Sequence, residues 1–241
     1  DCLLSRGLGD VYKRQPIEAI APMHIRQYMD LRGQVAKVRA NREKALFSHI
    51  FNKAREWGFT TAQNPCQGVK GFKETGRSRY VTDEEFDRVR ANAHCTVVDA
   101  MDIALLTGQR PADVLKIKRT DIRDGALWIV QNKTGARLGI EITGELSAVI
   151  ERINQRPRKA ISAFLIQDEN GQPLSQGALR SRFDKARTLA KVDFQFRDIR
   201  AKAATDTGDL GHSQKLLGHK NREMTEHYVK SRKGERVKPS R

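Results

Sequence analysis

Apolar positions along the chain recur with two periods, and the change from one to the other maps its elements. Leu46, Phe47, Ile50, Phe51, Ala54 and Trp57 fall at three- and four-residue spacing, and Gly58 follows. That pattern predicts one face of a helix with a glycine stop. Ile20, Ile25, Tyr28 and Met29 fit a helical face more loosely between Pro16 and Leu31, so residues 16–68 read as all-helical. Residues 69–80 lose the period and gain Gly and basic side chains, which predicts a linker. Period then returns. Thr82 and Glu85 form a capping box ahead of Phe86 and Val89. An apolar run with Val97, Val98, Met101, Ile103, Leu105 and Leu106 ends at Gly108, and Pro111 suits the first turn of another helix carrying Val114 and Leu115. From 126 to 142 the period shortens toward two. Asp124-Gly125 and the segment Asn132–Ala136 read as turns flanking a β-hairpin of Ala126–Val130 and Leu138–Ile142. Helices are predicted around 144–155, 176–190, 198–207, 213–218 and 222–230, with a short strand at 163–166 before the polar turn Asp168–Pro173. The expected fold is mainly α with a small antiparallel β-sheet. It comprises a helical domain over 16–68, a basic linker over 69–80 and an α+β domain over 81–241. Residues 1–15 show neither period and no initiator methionine; they are expected to be non-native or disordered, with native sequence missing upstream.

Charge adds a partner to this outline. Lys and Arg number 45 against 29 acidic residues, a net of +16. The excess is shared equally by residues 1–80 and 81–241, although the first stretch is half as long. A basic surface of this size attracts polyanions, because neutralised phosphates release condensed counterions. Arg42, Lys44, Lys53 and Arg55 on the second helix, with Lys70 and Lys73 in the linker, are the candidate DNA contacts; a solvated charged face is the alternative. No apolar run approaches the ~20 residues of a spanning helix, and no secretory pattern is seen, so a cytoplasmic location is expected. Cys2, Cys66 and Cys95 form no C-x-x-C pair and the histidines no H-x-x-x-H, so neither a disulfide framework nor a metal site is expected.

Four short motifs carry chemistry. Leu217-Gly218-His219 is followed nine residues on by Tyr228. In Thr107-Gly108-Gln109-Arg110, an arginine stands between a helix-breaking glycine and Pro111, with Asp113 three residues later. Such a guanidinium either pairs with Asp113 or reaches a phosphate, whose oxygens its planar fork matches. Arg197 and Arg200 lie three apart at a helix start. Lys133 sits at the hairpin tip, where a lysine is ordinarily just solvated. Tyr228 alone would read as a packing residue.

In order and together, these motifs resemble the three conserved boxes and the hairpin lysine of the tyrosine recombinases, the phage-integrase type of site-specific recombinase. The resemblance covers residues 80–241 strongly. It is weaker over 16–68, which is similar to the family's core-binding domain. It implies Arg110 and Arg200 as phosphate-binding arginines, Asp113 as the supporting acid, Lys133 as the acid for the leaving oxygen, His219 as a phosphate-orienting residue and Tyr228 as the nucleophile. Arg197 occupies the position where the family has histidine. It cannot readily accept a proton at neutral pH, so water, His219 or a lowered tyrosine pKa must serve. The implied reaction is strand cleavage through a 3′-phosphotyrosine and rejoining, with no metal, ATP or other cofactor. Implied partners are double-stranded DNA at attachment-type sites, three further copies in a DNA-assembled tetramer, and an accessory DNA-bending protein, with a nucleoid-associated location. The basic tail from Lys230 is expected either to dock on a neighbouring protomer or to be disordered. A non-catalytic DNA-binding remnant and a type IB topoisomerase-like relaxing enzyme are the alternatives.

Overall fold

The computed structural model of the chain describes residues 16–76, 79–157, 160 and 162–233, with the side chains of 227, 228 and 230–233 outside that description. The expectations for residues 1–15 and for most of the C-terminal tail fall outside these limits. Two units divide the chain, Asp1–Arg77 and Ser78–Arg241.

The first unit is built on α1 (Pro22–Glu56), which opens with proline in its first turn. It is two helical segments joined at Ala36, whose φ of −151° and ψ of 75° break the ladder. Ile25, Met29, Ala40 and Cys66 form the small core, with Ile20, Phe47, Val69 and Phe72 packed on it. The predicted apolar face over 46–57 divides: Phe51 is buried, whereas Leu46, Ile50 and Trp57 are exposed. Residues 69–74, read as the start of a linker, are strapped to α1. Asn41 donates from Nδ2 to the Phe72 carbonyl (2.8 Å) and accepts at Oδ1 from the Phe72 amide (2.8 Å). Arg26 donates to the Lys70 carbonyl (3.2 Å) and lies over the Phe72 ring. A Cβ on Gly33 would stand 2.2 Å from that ring, so only glycine lets the strap lie this close.

The second unit is a mainly helical domain around α3. Its helices are α2 (Asp83–Ala91), α3 (Cys95–Thr107), α4 (Pro111–Leu115), α5 (Gly144–Gln155), α6 (Gln176–Leu189), α7 (Asp198–Asp206), α8 (Leu210–Leu217) and α9 (Arg222–Lys233). Helix α2 begins with the predicted capping box: Thr82 Oγ1 accepts from the Glu85 amide, and the Glu85 carboxylate from the Thr82 amide, both at 3.3 Å. Helix α3 packs against α5 and α7. It buries Val97, Ala100, Met101, Ile103 and Ala104, and Gly108 ends it at φ 64°. The sheet has three antiparallel strands in order β1 (Ile122–Arg123), β2 (Ala126–Val130) and β3 (Arg137–Glu141), with Leu127 opposite Ile140. The two-residue β1 is too short to show an apolar period. The strand expected at 163–166 is instead a single bridge, Phe164 to Lys118, flanked by Arg119 N–Ala163 O and Leu165 N–Ile117 O bonds of 2.8 Å. Asp99 and Asp102, buried on the largely apolar α3, are neutralised by Arg90 of α2 and by Arg152 and Arg156, within and just past the end of α5.

Candidate functional site

Three chain segments converge where α3 ends, α4 begins and α8 ends. Gly108 allows the approach, since a Cβ there would meet Leu217 at 3.2 Å and Leu216 at 3.3 Å. Arg110 caps α4 with extended backbone (φ −72°, ψ 153°), and Pro111 follows in the first turn. Its side chain is 25% exposed, donating to Gln131 Oε1 at 3.3 Å and standing 3.8 Å from Asp113 Oδ2. Buried Asp113 also accepts from the Asn132 amide at 2.8 Å, which fixes the base of the hairpin turn.

Arg200 comes up from α7 and is only 3% exposed. Nη1 donates to the Gly108 carbonyl (2.6 Å) and Nη2 to the Leu217 carbonyl (2.7 Å), so one guanidinium ties the C-terminal ends of α3 and α8. Those carbonyls end helices, where dipoles favour a cation. Nη2 also lies 3.2 Å from His219 Nε2. His219 follows Gly218, the left-handed cap of α8, and is 8% exposed. Its pKa is pushed down to about 4, by burial first and then by the charges of Arg200 and Arg110. A guanidinium only donates, so Nε2 accepts and the neutral ring carries its proton on Nδ1, 3.0 Å from Thr225 Oγ1.

Helix α9 packs on α7 and α8 and carries Tyr228, whose side chain lies outside the described residues. Arg110, Asp113, Arg200 and His219 are thus brought into one neighbourhood. Lys133 is exposed at the hairpin tip and Arg197 is exposed at the start of α7. Among the described residues neither has a hydrogen-bond or ion-pair partner; although Arg197 and Arg200 lie three apart, Arg197 stays at the surface while Arg200 runs into the interior. In the first unit, Arg42, Arg55, Lys70 and Lys73 are exposed. Lys44 is instead spent on the Val69 carbonyl, and Lys53 pairs with Glu56 at 2.5 Å.

Sequence reasoning passed over Gln109, Gln131 and Thr225, all buried. Gln131 had a readable signal. The alternation that buries Leu127 and Ile129 continues to position 131, so a polar side chain there points inward and must find partners.

The family model for the phage integrase family matches residues 82–235. The chain is 29% identical over 207 residues to prophage integrase IntE of Escherichia coli K12, covering 77% of this chain and 55% of the relative. To the integrase of Escherichia phage HK022 it is 31% identical over 199 residues, covering 76% and 55%. It therefore spans about half the length of these relatives. Among solved structures, a lambda integrase tetramer bound to a Holliday junction superposes with a TM-score of 0.83 at 22% identity, covering 96% of this chain and 72% of that one. A lambda integrase dimer bound to a COC′ core site gives 0.82 at 23%, covering 95% and 71%. The fold, the ordered motifs and the family match agree that this chain belongs to the phage integrase family.

Proposed function

We propose that the chain is a site-specific DNA recombinase, cleaving and rejoining DNA through a 3′-phosphotyrosine formed on Tyr228. The observation that carries this reading is the convergence of Arg110, Arg200 and His219 at the joined ends of α3 and α8, one short loop before the helix that bears Tyr228. Two cations and a neutral imidazole, with carbonyls and Asp113 holding them from behind, suit a phosphodiester whose transition state spreads negative charge over its non-bridging oxygens.

In this reading Arg110, the more exposed of the pair, grips the scissile phosphate while Arg200 supplies charge from below. The Tyr228 phenolic oxygen attacks phosphorus and the bond to the 5′ oxygen breaks. Lys133, on the hairpin's polar turn, gives that oxygen its proton. His219 is not the base for the phenol. Its Nε2 lone pair is engaged by Arg200 Nη2, and burial with two arginines disfavours the charged ring, so the phenol, of ordinary pKa ~10, releases its proton to bulk solvent before attack, with the arginine cations favouring the phenolate. Rejoining reverses the steps with the 5′-hydroxyl of a second strand. The phosphodiester energy is kept in the tyrosyl ester, so no ATP is consumed. Exchange between two duplexes needs four such sites, hence a tetramer on double-stranded DNA at attachment-type sequences, with an accessory DNA-bending protein and a nucleoid-associated, cytoplasmic setting. Arg42, Arg55, Lys70 and Lys73 contribute phosphate contacts in the first unit. Among the described residues no helix is long and apolar enough to cross a membrane.

The test is covalent capture of the full chain on nicked duplexes drawn from both flanks of its own gene. A detergent-resistant adduct mapping to Tyr228 is expected, with none from Tyr228→Phe. An adduct formed equally by Tyr228→Phe, or none from the unaltered chain, refutes the assignment.

A further inference from the structure

Gln131 directly follows β2 at 1% exposure, and every hydrogen-bonding position of its amide is used. Nε2 donates to Gln109 Oε1 (2.8 Å) and to the Leu217 carbonyl (2.9 Å). Oε1 accepts from Arg110 Nη1 (3.3 Å) and from Thr134 Oγ1 (2.7 Å). Its orientation is unambiguous, because the Leu217 carbonyl can only accept and the Arg110 guanidinium can only donate. Gln109 extends the network to the carbonyls of Thr107 (2.8 Å) and Leu216 (3.0 Å). The Leu217 carbonyl is the same one that receives Arg200 Nη2. Gly218 leaves room for the amide, since a Cβ there would stand 3.1 Å from Gln131 Nε2. The backbone of Gln131 meanwhile closes the turn on both sides of Lys133, donating to the Ala136 carbonyl and accepting from the Gly135 amide, both at 2.9 Å.

We infer that Gln131 is a positioning residue that sets Arg110 and the Lys133 turn in one register with the Leu217–His219 segment. This rests on the recombinase reading and deepens it. An amide is the side-chain group that supplies two donors and two acceptors at one point without charge. A carboxylate there would oppose the Leu217 and Gln109 oxygens and draw Arg110 away from a phosphate. A hydrocarbon would free both arms. The two arms do different work: the Arg110 arm aims the phosphate clamp, and the Thr134 arm steadies the residue next to Lys133. Loss of the second should weaken protonation of the leaving oxygen while leaving the clamp aimed.

That division is testable with a duplex from the capture assay, made once with oxygen and once with sulfur at the 5′ bridging position of the scissile phosphate. A thiolate leaves without needing a proton, so a defect in the acid is relieved by sulfur and a defect in the clamp is not. Thr134→Val, at an exposed position, is expected to slow adduct formation about tenfold on the oxygen duplex and to approach the unaltered rate on the sulfur duplex. Gln131→Met is expected to slow it roughly 100-fold on oxygen, with sulfur recovering only part, because Arg110 is also loosened. Equilibrium binding of the duplex and the melting temperature are followed alongside. A Gln131→Met protein that cleaves at the unaltered rate overturns the inference. So does a Thr134→Val defect identical on both duplexes, or a Gln131→Met loss that disappears when rates are compared at equal folded fraction. If the unaltered chain forms no adduct on either duplex, the recombinase reading itself falls, and this inference with it.

Discussion

His219 is a histidine kept uncharged, and that has a consequence for stability. Its ordinary pKa of 6.5 applies when the chain is unfolded, while burial and two arginines hold it to about 4 when folded. Between those values the unfolded chain binds a proton that the folded chain refuses, so stability falls as pH drops through that window and is unaffected above it. His219→Gln removes the titrating group. Relative to that variant, the unaltered protein should lose stability from pH 7 to pH 5 in urea denaturation; parallel curves for the two would contradict the buried neutral assignment. The same assignment predicts that adduct formation shows no inflection near pH 6.5 that His219→Gln abolishes. The two arginines differ in another way. Arg110 is partly exposed and makes one long hydrogen bond, whereas Arg200 closes two helix ends. Either change to alanine should cut adduct formation on the order of 100-fold. Only Arg200→Ala should also destabilise the fold, by about 2 kcal/mol, because the Gly108 and Leu217 carbonyls lose a charged donor. Equal stabilities of the two variants would show that Arg200 is not the structural tie described.

At the scale of elements, close approaches made by glycine decide more than propensity does. Gly33 sits under the Phe72 ring with no space for a Cβ. Gly33→Ala should cost about 2 kcal/mol through overpacking. Most of that should vanish in a Phe72→Leu background, since the clash and its relief share one contact. Additive losses in urea denaturation would mean that the strap does not lie where it is placed. This strap also explains what the sequence concealed. Residues 69–74 look like linker because their apolar content is one phenylalanine and one valine, yet Asn41 reaches their backbone from 31 positions away. The kink at Ala36 has no proline or glycine at its own position to announce it. By contrast the Gly108–Pro111 punctuation, the capping box at Thr82 and the hairpin turns were legible, because each is a local backbone requirement written in residue type. The site divides the same way. The resemblance of their motifs to the family's boxes brought Arg110, Arg200 and His219 to notice, and they do lie together. Gln109 and Thr225 carry no such resemblance, and their importance comes from burial that only tertiary packing creates. Asp99 and Asp102 were invisible for the same reason, since α3 reads as an apolar helix until three arginines arrive from elsewhere.

On the scale of the whole molecule, the recombinase reading has charge govern how the chain would meet DNA before any chemistry. A net of +16 means that binding to a non-specific duplex is driven by counterion release, so log affinity should fall linearly with log salt. The slope counts phosphates neutralised, at ~0.9 per contact. Not every basic residue contributes. Arg90, Arg152 and Arg156 are bound to buried carboxylates, Lys202 is buried between Asp83 and Asp206, and Lys44 holds a backbone carbonyl. Arg42, Arg55, Lys70 and Lys73 remain exposed in the first unit. Changing these four to alanine should flatten the salt slope by ~3.6 if each meets one phosphate. It should leave the denaturation midpoint nearly unchanged, as surface charges contribute little to stability. Lys44→Ala should do the reverse, lowering the midpoint with little change of slope. Filter binding of a duplex across a salt series, with urea denaturation of the same variants, separates the two. A quadruple variant with the unaltered slope would remove the first unit's exposed cations from the DNA interface. A slope lost with Lys44→Ala would show that its contact with the Val69 carbonyl yields to a phosphate.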